Sequence, residues 1–319
     1  MRKICLIGGT GFVGKHLAQR LCRQGWQVQV LTRQREKHRE LLILPTLELV
    51  STDYSQEQLN KQLAGCDVVI NLVGILNETG DDGTGFRKVH VELPEKIIAA
   101  CQQNHIKRLL LMSALNADAK QETSHYLRTK GEGEDLAHST PDLQVTSFKP
   151  SVIFGDGDSF FNRFAQLLRV PSPIFMLPSS QAKFAPVWVN DVADVILQAI
   201  DNPKYYGKHY NLCGPKVYTL EELVTYTAKL MGVKRCIISL GDKGSERIAK
   251  LMEFKFAPSS KPYSLDNYRS SKIDSVCGNN NHLPRLGITP STVETIVPKY
   301  LLPSTSRALY PTFREHARR

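Results

Sequence analysis

Short apolar runs alternate with amphipathic stretches along the first half of the chain. Residues 2–8 carry Ile4, Leu6 and Ile7 and read as a buried strand. A glycine-rich turn follows, and then His16, Leu17, Arg20 and Leu21 at three- and four-residue spacing, which predicts a helix ended by Gly25. Residues 28–31 and 47–50 predict a second and a third strand, and 56–63 a helix that stops at Gly65. Residues 67–74 are almost unbrokenly apolar, the mark of a strand covered on both faces. Then come a polar loop at 77–85, a helix at 86–104, a strand at 109–112, a loop at 113–124, a helix at 126–138 and a sixth strand at 144–149. Strands alternating with helices in this way predict an α/β fold with a doubly wound parallel sheet.

After Pro150 the rhythm changes. Residues 155–158 form a turn, 160–169 a helix, and Pro171, Pro173 and Pro178 break the chain into loops. Residues 184–189 are strand-like, 191–200 an amphipathic helix and 210–212 a short strand. Thr219 to Glu222 has capping-box spacing and opens another helix. Beyond Arg235 the pattern is less regular. The expected division is a sheet domain of residues 1–150 and 184–212, with a smaller substrate lobe of residues 151–183 and 213–319.

The glycine turn is the first chemical signal. Gly8, Gly9, Gly11 and Gly14 fit two frames, Gly9-x-Gly11-x-x-Gly14 and Gly8-x-x-Gly11-x-x-Gly14. Between a strand and a helix of one βαβ unit, such glycines permit a tight turn, close approach of backbone to phosphate, and close helix packing. Free N–H groups and the positive helix end then face a pyrophosphate. Gly8, Thr10, Gly11, Phe12, Val13 and Gly14 are therefore candidate dinucleotide-binding residues. An NAD-preferring unit ends its second strand on a carboxylate that bonds the ribose hydroxyls. Here Thr32 and Arg33 stand at that point, nineteen residues past Gly14 for Arg33, and no acid occurs until Glu36. A guanidinium suits a 2′-phosphate, so the expected cofactor is NADP(H) in preference to NAD(H).

Tyr126 and Lys130 form a second signal. Four residues apart on a helix, they share one face. A lysine cation beside a tyrosine stabilises the phenolate, so the phenol can exchange a proton while nicotinamide exchanges hydride. Ser113, at the end of the fifth strand, is a candidate to hydrogen-bond the reacting oxygen, with Ser124 as its competitor.

Composition changes this picture little. At 319 residues the chain can bury roughly three quarters of its unfolded surface. No apolar run reaches the ~20 residues of a membrane span, and the apolar start is cut short by the glycines, unlike a signal peptide. Seven scattered cysteines, with no CxxC pair, read as reduced buried thiols and neither a disulfide framework nor a metal site, which implies a cytosolic protein. The net charge of +10 comes without a nucleic-acid-reading motif, so no nucleic-acid partner is expected. With Arg314, Arg318 and Arg319 it suggests weak attraction to anionic lipid, hence a position peripheral to the inner membrane. Asp191 reads as a helix cap or anchor and His90 as a helix-face histidine.

The motifs together resemble those of the extended short-chain dehydrogenases/reductases. Gly8-x-x-Gly11-x-x-Gly14, Tyr126-x-x-x-Lys130, residues 149–155 (KPSVIFG) and residues 186–193 (PVWVNDVA) recur there in the same order. Residues 70–74 (INLVG), 113–117 (SALNA) and 126–130 (YLRTK) are similar to an atypical branch that includes the NADPH-binding accessory subunit of respiratory complex I and its bacterial relatives. The resemblance implies that Tyr126 and Lys130 are the catalytic pair, with Lys130 also holding the nicotinamide ribose. It implies that Asp53 meets the adenine, with Tyr54 beside it, that Val73 and Gly74 line the cofactor, and that Pro150 to Ile153 flank the nicotinamide. Val89 and His90 stand where the wider family has a catalytic asparagine. Two functions follow as expectations: an NADPH-dependent oxidoreductase or epimerase-like enzyme on a hydroxyl or carbonyl substrate, or a catalytically silent NADPH-binding structural or assembly protein of a respiratory or quinone-related complex.

Overall fold

The computed structural model describes residues 2–255 and 261–302. Seven parallel strands form one sheet in the order β11-β6-β5-β4-β1-β2-β3. They are β1 (Lys3–Ile7), β2 (Gln27–Thr32), β3 (Leu47–Ser51), β4 (Val68–Asn71), β5 (Arg108–Met112), β6 (Gln144–Pro150) and β11 (Lys208–Leu212). Side chains alternate across the pleat, and both faces are buried. Ile4 and Leu6 enter a core with Leu17 and Leu21 of α1 (Phe12–Arg23) and with Val192 and Ile196 of α7 (Val189–Ala199). Cys5 and Ile7 enter the opposite core, with Leu59 and Leu63 of α2 (Gln56–Leu63), Ile97 of α4 (Leu93–Gln103) and Ala137 of α5 (His125–His138). The strand order reverses between β1 and β4, and the crevice beyond their carboxyl ends is where such sheets take ligands.

The predicted helix at 86–104 starts earlier and is interrupted. It runs as α3 (Thr84–Arg87), a π-helical turn at Lys88–Glu92, and α4. The single strand expected at 184–189 is instead two short strands, β9 (Lys183–Phe184) and β10 (Val187–Trp188), and α7 begins at Val189. Four strands went unforeseen: β7 (Ile153–Phe154), which pairs with β10, β12 (Tyr218–Thr219), which pairs with β9, and a further pair. β8 (Ile174–Leu177), between the prolines, pairs in parallel with β13 (Cys236–Ser239). Phe175, Leu177 and Ile237 of this pair face α6 (Phe161–Arg169) and α8 (Leu220–Leu230), while Ile174, Met176, Cys236 and Ile238 are exposed.

The cysteine expectation is corrected. Cys5, Cys22, Cys66 and Cys101 are buried thiols, but Cys213 and Cys277 are joined as a disulfide with Cα atoms 6.0 Å apart. The segment after α10 (Leu265–Ser270) returns over β11, and the Asn281 side chain bonds both the N–H and the carbonyl of Cys213. A separation of 64 residues left no local spacing signal. Among the described residues no helix is long and apolar enough to cross a membrane.

Candidate cofactor and active site

The glycine turn closes as the sequence requires. Gly8 has φ +83°, and the Gly11 N–H donates to its carbonyl at 3.1 Å. A Cβ on Gly14 would stand 2.5 Å from the Gly8 oxygen, so α1 can pack this close only with glycine there. The α1 start has no side-chain cap and no acid in its first turn. Its N–H groups remain free for an anion.

A cavity of about 760 Å³ opens there. Gly8, Thr10, Gly11, Thr32, Arg33, Asp53, Tyr54, Val73 and Gly74 line it, as do Gln34, His38, Lys88 and Lys96, which sequence reasoning did not single out. Arg33 is exposed, and no acid lies within 4.0 Å of it among the described residues. Glu36 is bound by Arg39. Thr32 is buried, and its hydroxyl accepts from the Gln34 N–H at 3.3 Å. Tyr54 donates to the Leu31 carbonyl at 2.9 Å, and burial pushes its phenol up to about 12. Asp53 is exposed and accepts from the Ser55 N–H, which lowers its carboxyl. Phe12, Val13, Gly14, Pro150 and Ile153 lie outside the lining. Val13 and Ile153 pack against the α1 core, and Phe12 lies on His16.

Lys130 sits beside the cavity wall. Its ammonium donates to the carbonyls of Met112 at 3.0 Å and Val73 at 3.2 Å, and a Cβ on Gly74 would come within 2.9 Å of it. Burial depresses it to about 8, with Glu134 opposing. Tyr126, one turn earlier on α5, packs edge-on to His90 and Phe86 at 5.5 and 6.1 Å. The expected lowering of its phenol is corrected. Burial, and then the nearby Asp266 carboxylate, raises it to about 12, while the Lys130 charge is engaged by two carbonyls.

Three findings revise the candidate residues. Ser113 is not among the cavity residues, and its hydroxyl donates to Glu134 at 2.5 Å. Ser124 caps α5, accepting from the Leu127 N–H and donating to Asp266 at 2.9 Å. His90 is no surface residue. It is buried in the π turn, where its Nε2 accepts from the Ile75 N–H at 3.1 Å and its Nδ1 meets Thr129 Oγ at 3.0 Å. The Thr129 hydroxyl donates to the His125 carbonyl, so Nδ1 carries the proton. Burial, with Lys130 adding, holds this imidazole neutral.

Asp266 was invisible to sequence reasoning. Besides Ser124 it accepts from the N–H groups of His125 at 2.6 Å and Tyr126 at 3.1 Å, which seats the start of α5 on a carboxylate. Nearby, Arg269 grips Asp81 through two bonds of 2.6 and 2.7 Å.

The wound sheet, the glycine turn and the paired Tyr126 and Lys130 define a class. The chain belongs to the NAD dependent epimerase/dehydratase family, whose model matches residues 4–213. Among curated relatives, it is 34% identical over 232 residues to NADH dehydrogenase [ubiquinone] 1 alpha subcomplex subunit 9, mitochondrial, of Mus musculus, covering 69% of this chain and 59% of that protein. The same subunit of Dictyostelium discoideum is 30% identical over 225 residues, 69% of this chain and 61% of that protein. The chain thus spans about six-tenths of the length of these relatives. It is also 27% identical over 245 residues to the ceramide reductase of Caulobacter vibrioides, 76% of this chain and 74% of that protein. In fold it is similar to the UDP-glucuronic acid 4-epimerase of Bacillus cereus solved with UDP-glucuronic acid and NAD, with a TM-score of 0.70, 17% identity, and coverage of 98% and 99%.

Proposed function

We propose that the protein is an NADP(H)-binding oxidoreductase or epimerase-type enzyme acting on a hydroxyl or carbonyl compound. One observation carries this reading: Tyr126 and Lys130 stand one turn apart, with the Lys130 ammonium at the Gly74 wall of the cavity. The turn from Gly8 to Gly14 would hold the pyrophosphate, Arg33 the 2′-phosphate, Asp53 the adenosine end and Lys130 the nicotinamide ribose. A bound nicotinamide supplies hydride chemistry. Tyr126, its phenol kept protonated by burial, would give its proton to a carbonyl oxygen in reduction and take one from a hydroxyl in oxidation. Residues 151–183 and 213–302 would shape the substrate side. Mass spectrometry of ligand released from the purified protein tests this reading. NADP(H) is the expected species, and NAD(H) alone would count against it.

A second reading is an NADPH-holding subunit at a membrane-bound respiratory or quinone-related complex. It is supported by His90, which is neutral and fully bonded where the family's asparagine is expected. The outer face of β8 and β13 suits a position at the membrane surface. Ile174, Met176 and Ile238 are exposed there, with exposed Arg169 and Lys234 in the adjoining segments. Arg314, Arg318 and Arg319 lie outside the described residues. Basic residues at an anionic surface contribute about 1 kcal/mol each. The protein should float with anionic liposomes at physiological salt, and Met176→Glu with Ile238→Glu should cut recovery at least several-fold. Equal recovery with neutral and anionic liposomes would remove the membrane idea.

A further inference from the structure

On the far side of α5 from its cap, three potential metal ligands converge. Glu134 and His138 are four residues apart and share one helix face. His209 lies on β11, the edge strand, and its register partner is Ser147 of β6. Ser147 Oγ is 2.9 Å from His138 Nε2, and the two imidazoles stack with centroids 4.0 Å apart. The ligand atoms of Glu134, His138 and His209 all lie within 4.8 Å of one another.

We propose that Glu134, His138 and His209 bind a divalent transition-metal ion of the zinc class. Two imidazoles and a carboxylate are a donor set typical of zinc, cobalt and nickel. With bonds of about 2.0–2.1 Å, donors around a tetrahedral ion lie about 3.3 Å apart. Glu134 Oε1 and His209 Nδ1 are 2.5 Å apart now, so a cation would replace the proton between them with under ~1 Å of spreading, while His138 would close in from within 4.8 Å by up to about 1.5 Å. The His209 side chain is 47% exposed and free to adjust.

The surroundings support this arrangement. Glu134 Oε2 is already occupied, accepting from Ser113 and lying 3.5 Å from the Lys149 ammonium, so Oε1 is the side left for an ion. Lys149 itself is anchored on the Ala117 carbonyl at 3.0 Å. Ser147 can hold His138 through Nε2 and leave Nδ1 to the metal, the outer bond that ligating histidines ordinarily make. Three protein ligands leave one position open on the half-exposed edge. Bound there, the ion would clamp β11 to the helix that carries Tyr126 and Lys130.

The test uses tag-free, chelator-treated protein and zinc or cobalt salts alone. Calorimetry should show one zinc per chain with micromolar or tighter affinity, and cobalt should give the visible absorption of a tetrahedral site. His209→Ala and His138→Ala should each weaken binding at least tenfold and abolish the rise in Tm with zinc, whereas His105→Ala, on a remote turn, should change neither. Absence of stoichiometric zinc, or His209→Ala binding like wild type, would overturn the assignment. Loss of binding in His105→Ala would place the ion elsewhere and overturn it equally.

Discussion

NADPH should bind more tightly than NADH by roughly 1.5–3 kcal/mol, about ten- to over a hundredfold, the contribution of a hydrogen bond to a charged group. Arg33→Ala should remove most of that difference and barely change NADH. Arg33 follows the last residue of β2, lines the cavity, and has no carboxylate within 4.0 Å among the described residues. The nearest acid in sequence, Glu36, is paired with Arg39 and is not among the residues that line the cavity. Because the guanidinium is exposed, the preference should shrink as salt rises. Calorimetric titration of both cofactors at two ionic strengths decides the matter. Equal affinities, or tighter NADH, would sink the role given to Arg33.

The second large effect concerns Tyr126. Tyr126→Phe keeps the ring that packs on His90 and Phe86 and removes only the hydroxyl. Turnover of a substrate found by screening alcohols, ketones and nucleotide sugars should fall by about 10²–10⁴, with cofactor affinity nearly unchanged. Lys130→Met should weaken both, because Lys130 holds two carbonyls at the cavity wall and is expected to touch the ribose. Full activity in Tyr126→Phe would end the tyrosine's assignment. Failure to find any substrate would favour the subunit reading.

The sheet was legible because its strands are buried on both faces, which writes unbroken apolar runs such as 67–74 into the chain. The glycine turn was legible because its geometry excludes side chains. The parts that escaped depend on partners distant in sequence. β8 is a short apolar run, but Pro173 and Pro178 flank it and its only partner, β13, lies some sixty residues on. Ser113 has a strand-end position consistent with a catalytic hydroxyl, and only Glu134, twenty-one residues on, shows where the hydroxyl goes. The raised phenol of Tyr126 depends on burial and on Asp266, 140 residues away. The burial of His90, which does lie on a helical turn, escaped because periodicity does not show its partners Ile75 and Thr129.

Asp266 carries a consequence for how this chain could be recombined. It lies beyond residues 4–213, the part that the family model matches, yet it seats the first turn of the helix bearing Tyr126. The part that the family model matches and the part beyond it are therefore not interchangeable modules. A chimera joining residues 1–213 to the tail of another relative would keep its glycine turn and Tyr126-x-x-x-Lys130. Unless the new tail returned a carboxylate to the same N–H groups, it would leave Tyr126 on a loosened helix end.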